Sequence, residues 1–344
     1  MKTISLQRHP QSGWNWPSLL PDDPALVLYF GSASQLADGA APVRELTARY
    51  PRAVVCGCST AGEIWNRRVS DDSVVAALVW FDSTQVRAVA ETITRNADSR
   101  AVGHRTAARL PAAGLRHVLV LSEGLSVNGT ALMAGFREVL PAGVAITGGL
   151  AGDGSRFQNT FVGLGDVVQC DQVVAIGFYG PDVLVGYGSK GGWEAFGPRR
   201  RITRSEGNTL FELDGQPALP LYQRYLGERA AGLPATGLLF PLELTRDVTA
   251  GSGLVRTILA VDEVKQSLTF AGDMPQGWYA RLMKADAGQL VDGLPDAGRQ
   301  AAHRKSPAGS LAILVGCAGR RLVLGQRIEE ELEAVMETLP ADTE

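Results

Sequence analysis

The chain has 344 residues and a mass of 36.5 kDa, with 45% hydrophobic and 20% charged residues, 40 glycines and 18 prolines. That is enough chain for one large core or two smaller ones, and it excludes a disordered or fibrous protein. Lys and Arg number 33 against 36 Asp and Glu, a net charge of −3 with a pI near 5.9. No electrostatic footprint therefore asks for nucleic acid or an anionic membrane as partner.

No apolar run approaches the roughly 18 residues that a membrane helix needs. The longest, Ser73 to Phe81, is strand-sized. The N-terminus carries Lys2 but no apolar central region, so a secretory signal is not expected and the reading is a soluble, cytoplasmic protein. There, Cys56, Cys58, Cys170 and Cys317 are expected as reduced thiols rather than a disulfide framework.

In chain order a repeated unit emerges. The first copy reads as a strand over 25–31, a helix over 43–49, Tyr50-Pro51, a strand over 53–57, the loop Cys58-Ser-Thr-Ala-Gly-Glu63, and strand-like runs over 72–81 and 85–94. A helix over 99–110 leads to the second copy. That copy has a strand over 117–122, a helix over 130–139, Leu140-Pro141, a strand over 144–148, the loop GLAGDG, and strands over 172–179 and 183–189 split by Gly180-Pro181-Asp182. Strand, helix, strand and hairpin imply an α/β (mixed α+β) fold of mixed sheets covered by helices.

The texture changes after Gly191, which places a domain boundary near Pro198, followed by a strand over 210–215 and a helix over 218–226. A third copy of the unit opens with a strand over 309–316, the loop Cys317-Ala-Gly-Arg320 and a helix over 328–338 before Leu339-Pro340. Only Ala341 to Glu344 follow, where the other copies have a strand and a Gly-rich loop, so this copy is expected to be cut short. A strand and helix without their partner would expose an edge and an apolar face.

Chemistry concentrates in the loops. Gly57 to Glu63 and its counterpart Gly148 to Asp153 sit where buried strands end, and their small residues leave backbone amides and hydroxyls free for a ligand, with Asn128 of Ser126-Val-Asn-Gly129 beside them. For single glycines, turn geometry and close packing explain as much.

Catalysis finds little support. Gly57-Cys-Ser-Thr-Ala-Gly62 carries one residue too many for a Gly-x-Ser-x-Gly elbow. A nucleophilic Cys58, the core of a hydrolase or transferase alternative, has no histidine at a recognisable spacing. Cys56-Gly-Cys58 lacks a second ligand pair for zinc, and on a strand both thiols face one way, toward a core. GLAGDG is not a dinucleotide fingerprint. His9 lies in a loose N-terminal segment, and His104, His117 and His303 read as solvated rather than haem or metal ligands. Arg199, Arg200, Arg201 and Arg204 form the one basic cluster, a solvated connector unless an anionic ligand lodges between domains.

Together, GCSTAGEI, GGLAGDG, the stretch GSKGGWEAFGPRRRITRSEGNTLFELDGQPAL, LVRTILAVDE, LTFAGDMPQG and GCAGRRLVLGQR resemble FIST-domain proteins from about Ala25 to the C-terminus. The resemblance implies a FIST N-terminal domain over 25–197 and a FIST C domain over 198–344 that is incomplete at its end. It also implies a bacterial signal-transduction sensor for small ligands such as amino acids, with no enzymatic activity.

The region through GGWEAFGP and ITRSEGN is similar to the NosP-type nitric-oxide-sensing branch. That likeness implies haem as a possible cofactor and a histidine kinase or cyclic-di-GMP enzyme as partner. The closing family segment with its His-Asn pair is not matched here. Carried over by position, the resemblance implies ligand contacts from Cys58, Ser59, Thr60, Glu63, Asn128, Gly149, Asp153, Cys317 and Arg320, against which a cap or turn hydrogen bond stands as the alternative role for Glu63 and Asp153.

Overall fold

A computed structural model describes residues 1–18, 22–37, 40–93, 98–249, 253–302 and 309–344. Two mixed sheets stack face to face in the N-terminal half. The first has the strand order Val167–Gln169, Val162–Leu164, Val54–Thr60, Leu26–Ser32, Val74–Trp80, Lys2–His9 and Gly13–Trp14. The second runs Ala145–Leu150, Leu115–Ser122, Gln172–Tyr179 and Gln85–Thr92.

The two-residue period of the strands dictates the layering. Leu26, Leu28, Cys56, Cys58, Leu119, Leu121, Val174 and Ile176 meet between the sheets. Their alternates Val27, Tyr29 and Val55 face helix Ala41–Arg49, and Val118, Val120, Val173 and Ala175 face helices Ser99–Ala108 and Gly129–Val139. The result is helix, sheet, sheet, helix, with the mixed, helix-covered sheets expected from the repeat.

The repeat frame differs from the expected one by a strand. Gln85–Thr92 forms no hairpin with Val74–Trp80; it crosses to the second sheet and pairs antiparallel with Gln172–Tyr179, just as Lys2–His9 pairs with Val74–Trp80. Each module therefore opens with its own outer strand, and His9 ends a strand rather than sitting in a loose segment. Residues 183–189, expected as a strand, join no ladder. Gly186 and Gly188 instead press backbone to backbone on helix Leu294–Ala301 at Ala301 and Ala297, an approach that a side chain would block.

From Trp193 to Ala285 the chain builds a separate antiparallel sheet, centred on Tyr279–Ala285 flanked by Leu242–Thr245 and Arg200–Glu206. It packs around helix Ala218–Leu226, whose Leu219, Tyr222 and Leu226 enter a core with Ile202, Leu244 and Phe270. Arg200 and Arg204 on its strand are ion-paired with Asp214 at 3.0 Å and Glu212 at 2.8 Å, which argues against a waiting anion site.

The last stretch returns to the sandwich. Of the strand expected over 309–316, only Ser310 bridges another residue, Thr343, in parallel register; Ala312 N–H donates to Glu344 O at 2.8 Å. Helices Ala318–Leu324 and Ile328–Met336 follow, and Leu311 reaches the edge of the inter-sheet core. No helix among the described residues is long and apolar enough to cross a membrane.

Candidate functional site

The strands Leu26–Ser32 and Val54–Thr60 run parallel, as do Leu115–Ser122 and Ala145–Leu150, so both Gly-rich loops leave the same end of the sandwich. They touch there. Gly152 N–H donates to Ser59 O at 2.9 Å, and Gly152 lies against Ala61. The segment at Val315 and the helix Ala318–Leu324 complete the junction: Val315 packs on Gly149, and Arg321 of the helix reaches the first loop, where its Nη1 donates to Ala61 O and its Nη2 to Asp71 Oδ1 at 2.6 Å. The two Gly-rich loops and the segment leading into helix Ala318–Leu324 thus converge.

Within the first loop, Glu63 is 1% exposed and fully hydrogen-bonded. Thr60 Oγ1 donates to its Oε1 at 2.8 Å, and the Ser73 amide and hydroxyl each donate to its Oε2 at 3.1 Å. Burial raises its pKa to about 7 against the pull of these bonds and of the Arg321 charge. Gly62 has φ +155°, and a Cβ there would overlap the Arg321 guanidinium, so only glycine leaves room for that head group.

The other expected contacts divide. Ser59 is wholly buried; its hydroxyl accepts from Phe161 N–H at 2.9 Å and ties the two modules together. Asp153 accepts from the amides of Phe157, Gln158 and Asn159 at 3.1, 2.7 and 3.2 Å, the turn role set against ligand contact above. Asn128 faces away from the junction. It caps helix Gly129–Val139 by accepting from Ala131 N–H at 3.2 Å and donates through Nδ2 to Asp273 Oδ1 of the second domain at 2.6 Å.

Cys58 lies in the inter-sheet core, 5% exposed, and burial pushes its thiol up to about 12, so it offers neither a reachable contact nor an available thiolate. Cys317 is half-buried at the start of helix Ala318–Leu324.

Arg320 is a corrected expectation. It is buried, paired with Glu331 Oε1 at 3.0 Å, and bonded to the carbonyls of Gly191 and Leu290, so it clamps helices rather than waiting for a ligand. The next residue, Arg321, takes the place at the junction, with Asp71 and Ser73 as its unforeseen company. The Arg-Arg pair in GCAGRR was the available signal.

Haem requires an axial ligand with room for a porphyrin. His117 is 4% exposed rather than solvated, burial lowers its pKa to about 4, and its Nε2 is 2.8 Å from Thr147 Oγ1. His9 and His104 are exposed, and His303 lies outside the described residues. Among the described residues none forms a His/Cys/Asp/Glu cluster suited to a metal ion.

A family model of the FIST N domain matches residues 25–216, and one of the FIST C domain matches residues 218–344. An uncharacterized protein of Methanocaldococcus jannaschii is 28% identical over 212 residues, 56% of this chain and 39% of that protein, so the chain spans about two-fifths of its length. Among solved structures, a chorismatase is similar at 12% identity and a TM-score of 0.27, over 83% of this chain and 98% of that one.

Proposed function

Because the chain belongs to the FIST family, whose domains serve signal transduction by sensing small ligands rather than by catalysis, we propose that it is a sensory module whose ligand site is the junction of the loops 57–63 and 148–153 with the segment 315–321 at the start of helix Ala318–Leu324. The observation that carries this reading is their convergence, with Gly152 bonded to Ser59, Val315 on Gly149 and Arg321 on Ala61. Thr60, Glu63 and Gly149 contribute from the two loops, and Arg321 from the helix.

A ligand settling there touches three segments at once, so it favours whichever arrangement of them it fits best and shifts their populations. The second domain reads that shift through Asn128 and Asp273, since Gly124, in the same turn as Asn128, packs on Ala151 of the second loop. The likeness to the nitric-oxide-sensing branch points to a histidine kinase or cyclic-di-GMP enzyme as the partner that receives the signal.

The test is hydrogen exchange of the intact chain against a set of amino acids and related metabolites. A ligand that raises melting temperature and protects amides in both loops and in the segment 315–321 is the expected result. Protection confined to another surface, or no stabilising ligand in the set, overturns the assignment.

A further inference from the structure

Resting on the loop-junction reading, we propose that the notch beside Gly62 recognises a cation, that Arg321 fills it from within the chain, and that the ligand it takes is a small molecule bearing a guanidinium or ammonium group. The groups that meet the Arg321 guanidinium there are acceptors. Ala61 offers its carbonyl, Asp71 its carboxylate at 2.6 Å, and the Glu63 carboxylate stands behind them, close enough to feel the Arg321 charge. The absence of a side chain at Gly62 leaves a flat recess that the guanidinium occupies.

Adjacent arginines have separate duties, which makes the plug removable. Arg320 carries the structural load, bonded to Glu331, Gly191 and Leu290 in the interior. Arg321 bonds the loop carbonyl and Asp71; its own side chain is 23% exposed but that of Asp71 is 76% exposed, and an ion pair with one partner so open to water is weak. A competing cation can approach along the Asp71 side and displace Arg321 without disturbing the helix it comes from. Displacement frees helix Ala318–Leu324 from the first loop, which gives the ligand a differential hold on two states of the chain.

The probe is methylguanidinium, with methylurea as its neutral isostere, titrated into the intact chain at constant ionic strength and followed by calorimetry. Wild type is expected to bind methylguanidinium weakly, Arg321→Ala to bind it about tenfold more tightly because the notch no longer has to be vacated, and methylurea to bind neither. Asp71→Asn in the Arg321→Ala chain is expected to lose that gain. Equal affinity of wild type and Arg321→Ala, or equal binding of methylurea, overturns the proposal.

Should Arg321→Ala fail to fold, Asp71→Asn alone, a change at an exposed position, is read instead by the exchange rate of the Arg321 Nε proton. Faster exchange supports the plug, and unchanged exchange rejects it. If hydrogen exchange instead finds an anionic ligand protecting both loops and the segment 315–321, the cation inference fails while the sensory site stands; if no ligand protects them, the site itself fails.

Discussion

Asn128 holds two jobs in one side chain: its amide oxygen caps the helix Gly129–Val139, and its amide nitrogen donates to Asp273 of the second domain at 2.6 Å. Gly129 N–H donating to Ala271 O at 2.9 Å and Asp273 N–H donating to Thr130 Oγ1 at 3.2 Å brace the same contact, with Arg256 reaching Thr130 at 3.3 Å. Losing a cap costs about 1 kcal/mol, and a hydrogen bond to a charged group about 1.5–3 kcal/mol. Asn128→Ala is expected to lower unfolding stability by about 2–4 kcal/mol in urea, whereas Asn128→Asp keeps the cap but sets a carboxylate against Asp273 and loosens the domains. A loss under 0.5 kcal/mol for the alanine variant would remove this contact from the account.

Glu63 makes a prediction in pH. Its folded pKa of about 7 stands above the ordinary 4.5, so its neutral form is favoured by folding. That contribution is fully present below pH 4.5 and is lost as pH rises through about 7. Glu63→Gln keeps an acceptor for Ser73 and lets the Thr60 hydroxyl turn to accept, with Gly31 O at 3.5 Å available to it as acceptor. The variant is expected to gain stability over wild type between pH 5 and pH 8, by on the order of 1–3 kcal/mol. Parallel pH profiles for the two chains would count against it.

Arg320 and Glu331 form a buried pair, with side chains 7% and 11% exposed. Burial pushes the Glu331 carboxyl up while Arg320 draws it back. Removing one member leaves the other without its partner, at about 3–5 kcal/mol. Arg320→Ala is expected to cost more than Glu331→Gln, because it also strands the carbonyls of Gly191 and Leu290. Denaturation curves of the two variants give the order directly.

Thiol labelling separates the cysteines. Cys56 and Cys58 are buried and their thiols are held up by desolvation, whereas Cys170 and Cys317 are half-exposed. Native protein treated with iodoacetamide is expected to modify Cys170 and Cys317 first, with Cys56 and Cys58 reacting only on unfolding. Prior labelling of Cys58 would revive a nucleophilic role.

Much of this architecture is written in local pattern. The apolar runs in Leu26–Ser32 and Leu115–Ser122, the Tyr-Pro and Leu-Pro junctions, and the matching glycine loops reveal the duplicated unit, because each reflects a buried strand, strand end or helix stop decided within a few residues. The choice of sheet for Gln85–Thr92 is decided by partners far along the chain, so a hairpin with its neighbour reads equally well. Nor does spacing tell which of Arg320 and Arg321 faces the loops. Consecutive helical residues point about 100° apart, and only the packing of Glu331 and Leu290 assigns each its side. His117 likewise lies next to exposed Arg116 but on the opposite face of its strand, turned toward Phe178.

The hairpin Val162–Leu164 and Val167–Gln169 belongs by sequence to the second module but is stitched to the first, lying antiparallel along Val54–Thr60. The first half of the sandwich is therefore finished with material from the second. A polypeptide cut between the modules would leave Val54–Thr60 with one flank bare and the hairpin with nothing to join, so the duplicated halves should melt in a single transition and should not survive as separate fragments.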